Sequence, residues 1–175
     1  SPQAVTDLWD SLFAQGYEQI VHIPMSAGLS GSCATAMMLA GEDEYEGKVF
    51  VVDNHRISVT QYQSVKDAMM LADMGMDGAQ IKKRLEETAA DSVIFVTVDT
   101  LKYLKMGGRI SGASAVLGGM LGITPILKVQ HGVVEAAAKV RGRKAAFQWM
   151  DRRMEQERPD LTLPVAFGHS DAPAV

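Results

Sequence analysis

The sequence predicts an α/β fold, in which a domain with a parallel sheet and crossover helices is followed by a second, smaller α/β lobe. Apolar runs of strand length alternate with segments of helical periodicity; the runs span residues 19–24, 48–53 and 92–98. Strands that alternate with helices of this length are typical of parallel sheets, because each helix returns the chain to the start of the next strand. From residue 99 the pattern changes to short helices and a hairpin. We therefore place the two domains at residues 1–98 and 99–175.

The first domain is predicted to contain four helices. The first spans residues 3–15, where apolar side chains recur at helical spacing, and Gly16 ends it. The other three follow the predicted strands and are expected at residues 31–40, 58–73 and 77–90.

The second lobe is predicted to mix helices with antiparallel strands. Glycines at 107 and 108 end a short helix, and Gly132 lies between two runs of β character, which indicates a hairpin. The expected elements are helices at 102–105 and 111–121, strands at 125–129 and 133–140, a helix at 142–158 and a strand at 163–167.

Composition narrows the function classes. The 175 residues are 47% hydrophobic with a net charge of −4, which argues against a general nucleic-acid binder. No apolar run in the sequence is long enough to span a membrane, and no signal peptide is recognisable at its start. Its single cysteine, Cys33, excludes an internal disulfide. We therefore expect a cytoplasmic protein. A start at Ser1-Pro2 without methionine and an end within an apparent new element indicate a fragment lacking N- and C-terminal parts.

The most informative segment is the serine-glycine turn, residues 24–32, which follows the first predicted strand and precedes a helix. The start of a helix leaves backbone N–H groups without intrahelical partners, and such groups favour anions. Ser26 and Ser30 add hydroxyl donors, and Gly28 lets a ligand approach the backbone closely. The turn therefore predicts a site for a carboxylate or a single phosphate. A simple N-cap by Ser30 explains the same residues without a ligand.

Other chemistries find less support in the sequence. A hydrolase nucleophile at Ser30 would need glycine two residues later, where Ser32 stands. The four histidines and Cys33 do not show the spacing of a metal site, and the loops that bind nucleotide cofactors are missing. Residues 53–55 (DNH) follow the second strand and should meet the turn at the same sheet edge, although strand-end capping also explains them.

An apolar, glycine-rich run at residues 113–123 has two interpretations. Small residues allow close helix packing, or they leave room for an apolar ligand tail lined by larger side chains. In the second case, the candidates for contact with the tail are Val116, Leu117, Met120, Leu121 and Ile123.

Two basic features stand out against the acidic total. Arg109 follows two glycines, and a second group lies within residues 139–144 (KVRGRK). A surface salt bridge explains Arg109 and a solvated basic face explains residues 139–144. The functional alternatives are an anion site or, for the basic residues as a group, docking of an acidic partner. The docking candidates are Arg109, Arg141, Arg143 and Lys144.

Five separated motifs together closely resemble the DegV family of bacterial fatty-acid-binding proteins, and the resemblance runs from Ser1 to about residue 170. They are residues 23–32 (IPMSAGLSGS), 51–58 (VVDNHRIS), 98–111 (VDTLKYLKMGGRIS), 124–127 (TPIL) and 139–144 (KVRGRK).

The resemblance implies a non-enzymatic protein that buries one long-chain fatty acid between an α/β domain and a smaller lobe, without any cofactor. It implies that Ser26 binds the carboxylate, together with the turn residues Gly28 and Ser30, and that the glycine-rich run contributes to the tail tunnel. It also implies presentation of the acid to a fatty acid kinase for phospholipid synthesis. Ala27 departs from the family, which often has a second serine there. The carboxylate-binding threonine that family members carry in an upstream Thr-Ser-x-Pro-Ser-Pro segment, and a C-terminal histidine segment near the head group, are missing.

Two rival functions remain open from the residues alone. One is a serine-dependent hydrolase that uses Ser30. The other is a regulatory or scaffold protein whose basic residues at 139–144 bind an acidic partner without lipid.

Overall fold

A computed structural model of the chain describes residues 1–110 and 122–157, together with residues 165, 166 and 168. The chain divides into two compact units: the first is Ser1–Val93 with Gln130–Val133, and the second is Ile94–Val129 with Val134–Val175. The predicted helix at 111–121 lies outside the described residues, as does most of the predicted strand at 163–167.

The first unit has a β-α-β core flanked by further helices. Strands β1 and β2 pair in parallel with the register Ile20↔Val49 and His22↔Val51, which confirms the predicted parallel sheet. Helix α2 makes the crossover between them, as parallel pairing requires. The elements in order are α1 (Pro2–Ala14), β1 (Ile20–His22), α2 (Ser32–Ala40), β2 (Val49–Val51), α3 (Ser58–Asp73) and α4 (Gly78–Glu87).

Local sequence signals explain where the helices begin and end. The Ser1 hydroxyl caps α1 by accepting from the Ala4 N–H at 3.3 Å. Asp77 and Gln80 form a reciprocal capping box at the start of α4, with bonds of 2.8 and 3.0 Å. Gly16 follows α1 with a φ of +95°, a left-handed conformation that suits glycine.

Alternate residues of the two strands face two apolar clusters. Ile20, Val49 and Val51 pack with α1 and α2 in the larger cluster, whose other buried members are Trp9, Cys33, Ala36, Leu39 and Tyr45. Val21 and Ile23 pack against the smaller cluster of Val52, Leu71, Ile81 and Leu85, supplied largely by α3 and α4. We call these the α1/α2 face and the α3/α4 face of the sheet.

The α3/α4 face also carries an apolar groove of about 390 Å³. Its lining includes Val21 of β1, Ile23 just after that strand, and Val65 and Met69 of α3. Met69 is 64% exposed, so the groove opens to the surface.

The second unit contains an antiparallel sheet with strand order β3-β4-β5. β3 runs antiparallel to β4, with Ile94 opposite Val129 and Thr97 opposite Ile126. The elements are β3 (Ile94–Thr97), α5 (Lys102–Met106), β4 (Ile123–Gln130), β5 (Val133–Arg141) and α6 (Arg143–Glu157).

β3 corrects one expectation from the sequence. The run at residues 92–98 was expected to extend the parallel sheet of the first domain, but β3 joins the second sheet instead. A short apolar run does not encode the direction of its neighbour, because partner choice depends on tertiary packing. In this case Phe95 packs edge-on against Trp149 of α6, with ring centroids 5.5 Å apart.

The predicted hairpin is present between β4 and β5. His131 and Gly132 connect the strands with φ values of +51° and +79°, the pattern of a type I′ turn. These two residues, which we call the hairpin turn, belong to the first unit.

Candidate functional site

The serine-glycine turn meets a second loop at the carboxyl ends of the parallel strands. The turn follows β1 and the loop at residues 53–56 follows β2, so both leave the same edge of the sheet. A backbone hydrogen bond of 3.0 Å from the Ser26 N–H to the Arg56 carbonyl joins them. The expected meeting of residues 53–55 with the turn is confirmed.

Ser26 lies at the centre of this edge and is only 1% exposed. Its hydroxyl oxygen accepts a hydrogen bond from the Gly28 N–H at 3.2 Å. The same hydroxyl donates to the carbonyl of Gly132 in the hairpin turn, also at 3.2 Å. A buried serine with both functions engaged fixes the position of the turn.

Close backbone approach explains the glycines on both sides of this contact. A Cβ on Gly28 would overlap the Gly132 carbonyl oxygen. A Cβ on Gly132 would lie 2.6 Å from the Ser26 hydroxyl and 3.1 Å from Nδ1 of His55. Neither position tolerates a side chain without movement of the turn.

Ser30 is partly buried and bonds within the turn. Its hydroxyl donates to the Ser32 hydroxyl at 3.0 Å and accepts from the Ser32 N–H at 3.2 Å. Its own N–H bonds to the Ser26 carbonyl at 3.0 Å. Helix α2 begins at Ser32 with Gly31 as N-cap, so the N-cap position falls one residue after the serine that the sequence suggested.

Asp53 and His55 lie side by side in the loop after β2. Oδ1 of Asp53 accepts from the N–H groups of Ala27 and His55, at 3.2 and 3.3 Å. It also lies 3.4 Å from Nδ1 of His55. His55 has a left-handed φ of +58°, which is uncommon outside glycine and is found often at functional sites. His55 was predicted to lie at this edge of the sheet, but no role was predicted for it.

A buried polar cluster supports the loop after β2. The hydroxyl of Ser64 in α3 accepts from Asn54 Nδ2 at 2.8 Å and from Arg56 Nη1 at 3.3 Å. Arg56 Nη2 donates to the Thr88 carbonyl at 2.7 Å. Burial lowers the pKa of the Arg56 guanidinium. Because the Arg56 carbonyl accepts the hydrogen bond from the Ser26 N–H, the cluster that fixes Arg56 also helps to position the serine-glycine turn.

Cys33 lies one residue into α2 and is fully buried. Burial raises the pKa of its thiol, and the nearby carboxylate of Asp53 raises it further. Since the thiolate is the reactive form, these surroundings disfavour a nucleophilic role.

The turn uses most of its backbone donors internally. The N–H groups of Ser26, Ala27, Gly28 and Ser30 all bond within the protein. These N–H groups were predicted to face a ligand, but Asp53, Arg56 and Ser26 provide acceptors for them inside the protein. The hydroxyl groups of Ser26 and Ser30 also donate within the protein, so an anion held by these residues would have to replace one of these internal hydrogen bonds.

The other sequence-predicted residues lie in the second unit. Four tail candidates, Val116, Leu117, Met120 and Leu121, fall outside the described residues, and the fifth, Ile123, begins β4 and is partly buried. The four docking candidates, Arg109, Arg141, Arg143 and Lys144, are exposed.

Two of these docking candidates have described contacts. Arg143 pairs with Asp99 at 2.9 Å. The Arg109 guanidinium donates to the carbonyl of Gly107 in its own turn.

Two classes of feature are missing from the described part of the chain. Residues 1–110 and 122–157 contain no cluster of three or more acidic, histidine or cysteine side chains that could hold a metal. Within the same ranges, no helix has both the length and the apolar character needed to cross a bilayer.

Among curated proteins, the chain is similar to DegV domain-containing proteins of several bacteria. It is 39% identical over 141 residues to one from Deinococcus radiodurans, which covers 77% of this chain and 50% of that protein. It is 35% identical over 156 residues to one from Clostridium acetobutylicum, with 89% and 54% covered. The chain thus spans about half the length of the curated relatives that it matches.

Solved structures of the same fold include proteins described as fatty acid binding. A DegV family protein of this kind from Thermus thermophilus superposes with a TM-score of 0.78 at 30% identity, covering 90% of this chain and 55% of that one. Another, from Streptococcus agalactiae, has a TM-score of 0.78 at 27% identity, covering 91% and 56%. A stearic acid-binding protein from Eubacterium ventriosum has a TM-score of 0.78 at 26% identity, covering 90% and 54%.

The family match covers nearly the whole chain. Residues 1–174 match the DegV family, which is described as a family of uncharacterised proteins. The family resemblance and the mixed α/β fold class predicted from the sequence are therefore confirmed: the chain belongs to the DegV family.

Proposed function

We propose that this chain carries the carboxylate site of a protein that binds a long-chain fatty acid and does not react with it. The observation that carries the proposal is the buried Ser26 hydroxyl at the carboxyl end of β1. The fatty acid binding described for solved relatives at 26–30% identity supports the same ligand class.

The turn suits one carboxylate group. Ser26 and Ser30 place two neutral hydroxyl groups on the same turn, on either side of the exposed Gly28. A hydrogen bond from a neutral donor to a charged acceptor contributes about 1.5–3 kcal/mol. The negative charge of Asp53 would repel the ligand carboxylate. Two backbone N–H donors and the adjacent His55 imidazole reduce this repulsion.

The acyl tail would supply most of the affinity. Each buried CH₂ group contributes about 0.8 kcal/mol, so a long tail outweighs the single contact of its head group. We assign the tail to the glycine-rich run, with Val116, Leu117, Met120, Leu121 and Ile123 as its contacts. Ser26, Gly28 and Ser30 then fix the orientation of the bound ligand.

Contacts of Ser30 favour binding over hydrolysis. A serine nucleophile needs a base within hydrogen-bond reach to take its proton. The Ser30 hydroxyl instead donates to Ser32, which is not a base. We therefore prefer the binding role to the serine-hydrolase alternative.

The first experiment identifies the ligand. The chain is purified from a bacterial host and denatured, and the extract is analysed by mass spectrometry for fatty acids. We expect a near-stoichiometric long-chain fatty acid in the wild type and a lower occupancy in Ser26→Ala, which lacks the head-group contact. Ser11→Ala is the matched control, because the Ser11 hydroxyl also donates to a backbone carbonyl but lies on the exposed surface of α1. A wild type that neither carries nor takes up oleate or palmitate would contradict the proposal.

We further propose that the bound acid is presented in the cytoplasm to a fatty acid kinase that supplies phospholipid synthesis. Arg109, Arg141, Arg143 and Lys144 would dock an acidic surface of that enzyme, since exposed cations accelerate association with acidic partners. We expect Arg141→Glu to slow acyl phosphate formation, with Lys83→Glu on α4 as a charge-matched control. Unchanged turnover in Arg141→Glu and Lys144→Glu would remove the docking role and leave lipid binding in place.

A further inference from the structure

The hairpin turn occupies the donor that the proposed ligand needs. A serine hydroxyl has one proton, and in Ser26 that proton is directed at the Gly132 carbonyl. The lone pair that Ser26 uses as an acceptor is engaged by the Gly28 N–H. Ser26 therefore has no second proton with which to hold a carboxylate while Gly132 stays in place.

Two acceptor oxygens cannot share this position favourably. A ligand carboxylate and the Gly132 carbonyl would both direct negative charge at the same proton, and at close range they repel each other. Space is limited as well, because Gly28 and Gly132 approach so closely that a Cβ on Gly28 would overlap the Gly132 oxygen.

We infer that the hairpin turn is a gate on the proposed carboxylate site: the Gly132 carbonyl and the fatty acid carboxylate bind the Ser26 hydroxyl in mutually exclusive states. The inference rests on the proposed function, because it requires a carboxylate at Ser26. Ligand entry then breaks one hydrogen bond, from Ser26 to Gly132, and makes one from Ser26 to the carboxylate. The turn must move away for that exchange.

The conformation of the turn is compatible with this role. His131 is exposed and adopts a left-handed φ of +51°, which is uncommon for residues other than glycine, whereas the buried Gly132 adopts +79° without strain. The closed turn therefore holds a residue that is not ideal for it. Apparent affinity depends on the open fraction, since only the open state accepts ligand.

The sequence allows a direct measurement of this hydrogen bond. Gly132 is the only glycine in the chain that is followed by valine. Labelling with carbonyl-¹³C glycine and ¹⁵N valine therefore gives one peak in an HNCO spectrum, which reports the carbonyl of Gly132. The ¹³C shift of a carbonyl changes when it loses a hydrogen-bond donor.

The experiment uses delipidated wild-type chain, Ser26→Ala and the control Ser11→Ala. Without ligand, Ser26→Ala should move the Gly132 peak to the position of an unbonded carbonyl, and Ser11→Ala should leave it unchanged. Addition of oleate to the wild type should then move the peak in the same direction as Ser26→Ala. Saturation of binding is followed separately by mass spectrometry of the retained oleate.

The outcomes separate the gate from the proposed function. Retained oleate with an unmoved Gly132 peak would overturn the gate and leave fatty acid binding intact. A chain that retains no oleate would overturn the proposed function, and the gate with it. A peak that Ser26→Ala does not move in the ligand-free chain would overturn the gate before any ligand is added.

A variant of the exposed residue tests the same exchange by affinity. His131→Asn gives the Asn-Gly pair that type I′ turns favour, so it stabilises the closed state without altering Ser26 or Gly132. We expect the apparent Kd for oleate to rise about threefold, because the open fraction falls. An unchanged or lower Kd in a folded His131→Asn chain would contradict the gate.

Discussion

The two faces of the sheet in the first unit share the same strands but differ in how completely they are filled. On the α1/α2 face, Trp9 packs edge-on against Tyr45 and His22, with ring centroids 5.1 and 5.5 Å apart. On the α3/α4 face, the buried cluster has four members and lies beside the groove of about 390 Å³.

Side-chain size accounts for the difference. The α1/α2 face receives large aromatic rings that interlock with small residues such as Cys33 and Ala36. The α3/α4 face receives small residues from α3, Ala68 and Ala72, which leave the groove unfilled. A closed face resists loss of volume strongly, whereas an open face tolerates change along its rim.

The largest expected effect is on the closed face. Trp9→Ala removes a side chain that is 1% exposed at the centre of the larger cluster. We expect the free energy of unfolding to fall by about 3–5 kcal/mol, the range for a buried Trp or Phe replaced by alanine. Urea denaturation followed by circular dichroism measures it. A loss below about 1 kcal/mol would show that this face is less rigidly packed than its ring contacts indicate.

The next effect tests a tight contact on the open face. Gly78 begins α4 directly over Phe50 of β2, and a Cβ there would overlap the Phe50 ring. We expect Gly78→Ala to cost about 1–3 kcal/mol through overpacking, although alanine favours helix. Phe50→Leu should relieve the clash, so the double variant should lose less stability than the sum of the single variants. Additive losses would contradict the overlap.

A smaller effect concerns pH on the closed face. His22 accepts a hydrogen bond from the Trp9 indole N–H at 3.2 Å, and burial lowers the pKa of its imidazole below the usual 6.5. The unfolded chain then binds a proton at His22 more readily than the folded chain does. The contribution of neutral His22 to the free energy of unfolding is therefore present above pH 6.5 and is lost as the pH falls below that value.

His22→Asn tests this pH dependence, because asparagine keeps an acceptor for Trp9 and does not titrate. The fall in Tm between about pH 7.5 and about pH 5.5 should be smaller in the variant than in the wild type. Equal falls in both proteins would show that other groups control the response.

The smallest expected effect lies on the rim of the groove. Met69 is 64% exposed, so Met69→Ser removes little buried surface. We expect the free energy of unfolding to change by less than about 0.5 kcal/mol, as for most surface substitutions. A loss comparable to that of Trp9→Ala would mean that the groove is filled in solution.

Sequence patterns predicted most elements of the first unit because their signals are local. The predicted bounds of α3, residues 58–73, match Ser58–Asp73, and the hairpin followed from a glycine between two β runs. The predicted pairing of β3 was wrong, because a four-residue apolar strand does not show which strand it will pair with or in which direction.

The candidate site was only partly predictable for a related reason. Ser26, Gly28 and Ser30 follow from a turn between a strand and a helix, and their roles in ligand binding stay predictions. The contact between Ser26 and Gly132 joins residues 106 positions apart, and nothing in either local sequence encodes it. The left-handed conformation of His55, whose N–H bonds to Asp53, was likewise not predicted from the local sequence.

Burial of Cys33 has a practical consequence for spectroscopy. It is the single cysteine of the chain, fully buried, with a thiol whose raised pKa slows alkylation. A second cysteine introduced at the exposed His131 position would therefore react selectively with a maleimide dye or nitroxide, and the native thiol would not need to be replaced. The chain is already suited to single-site probes that follow the hairpin turn in time.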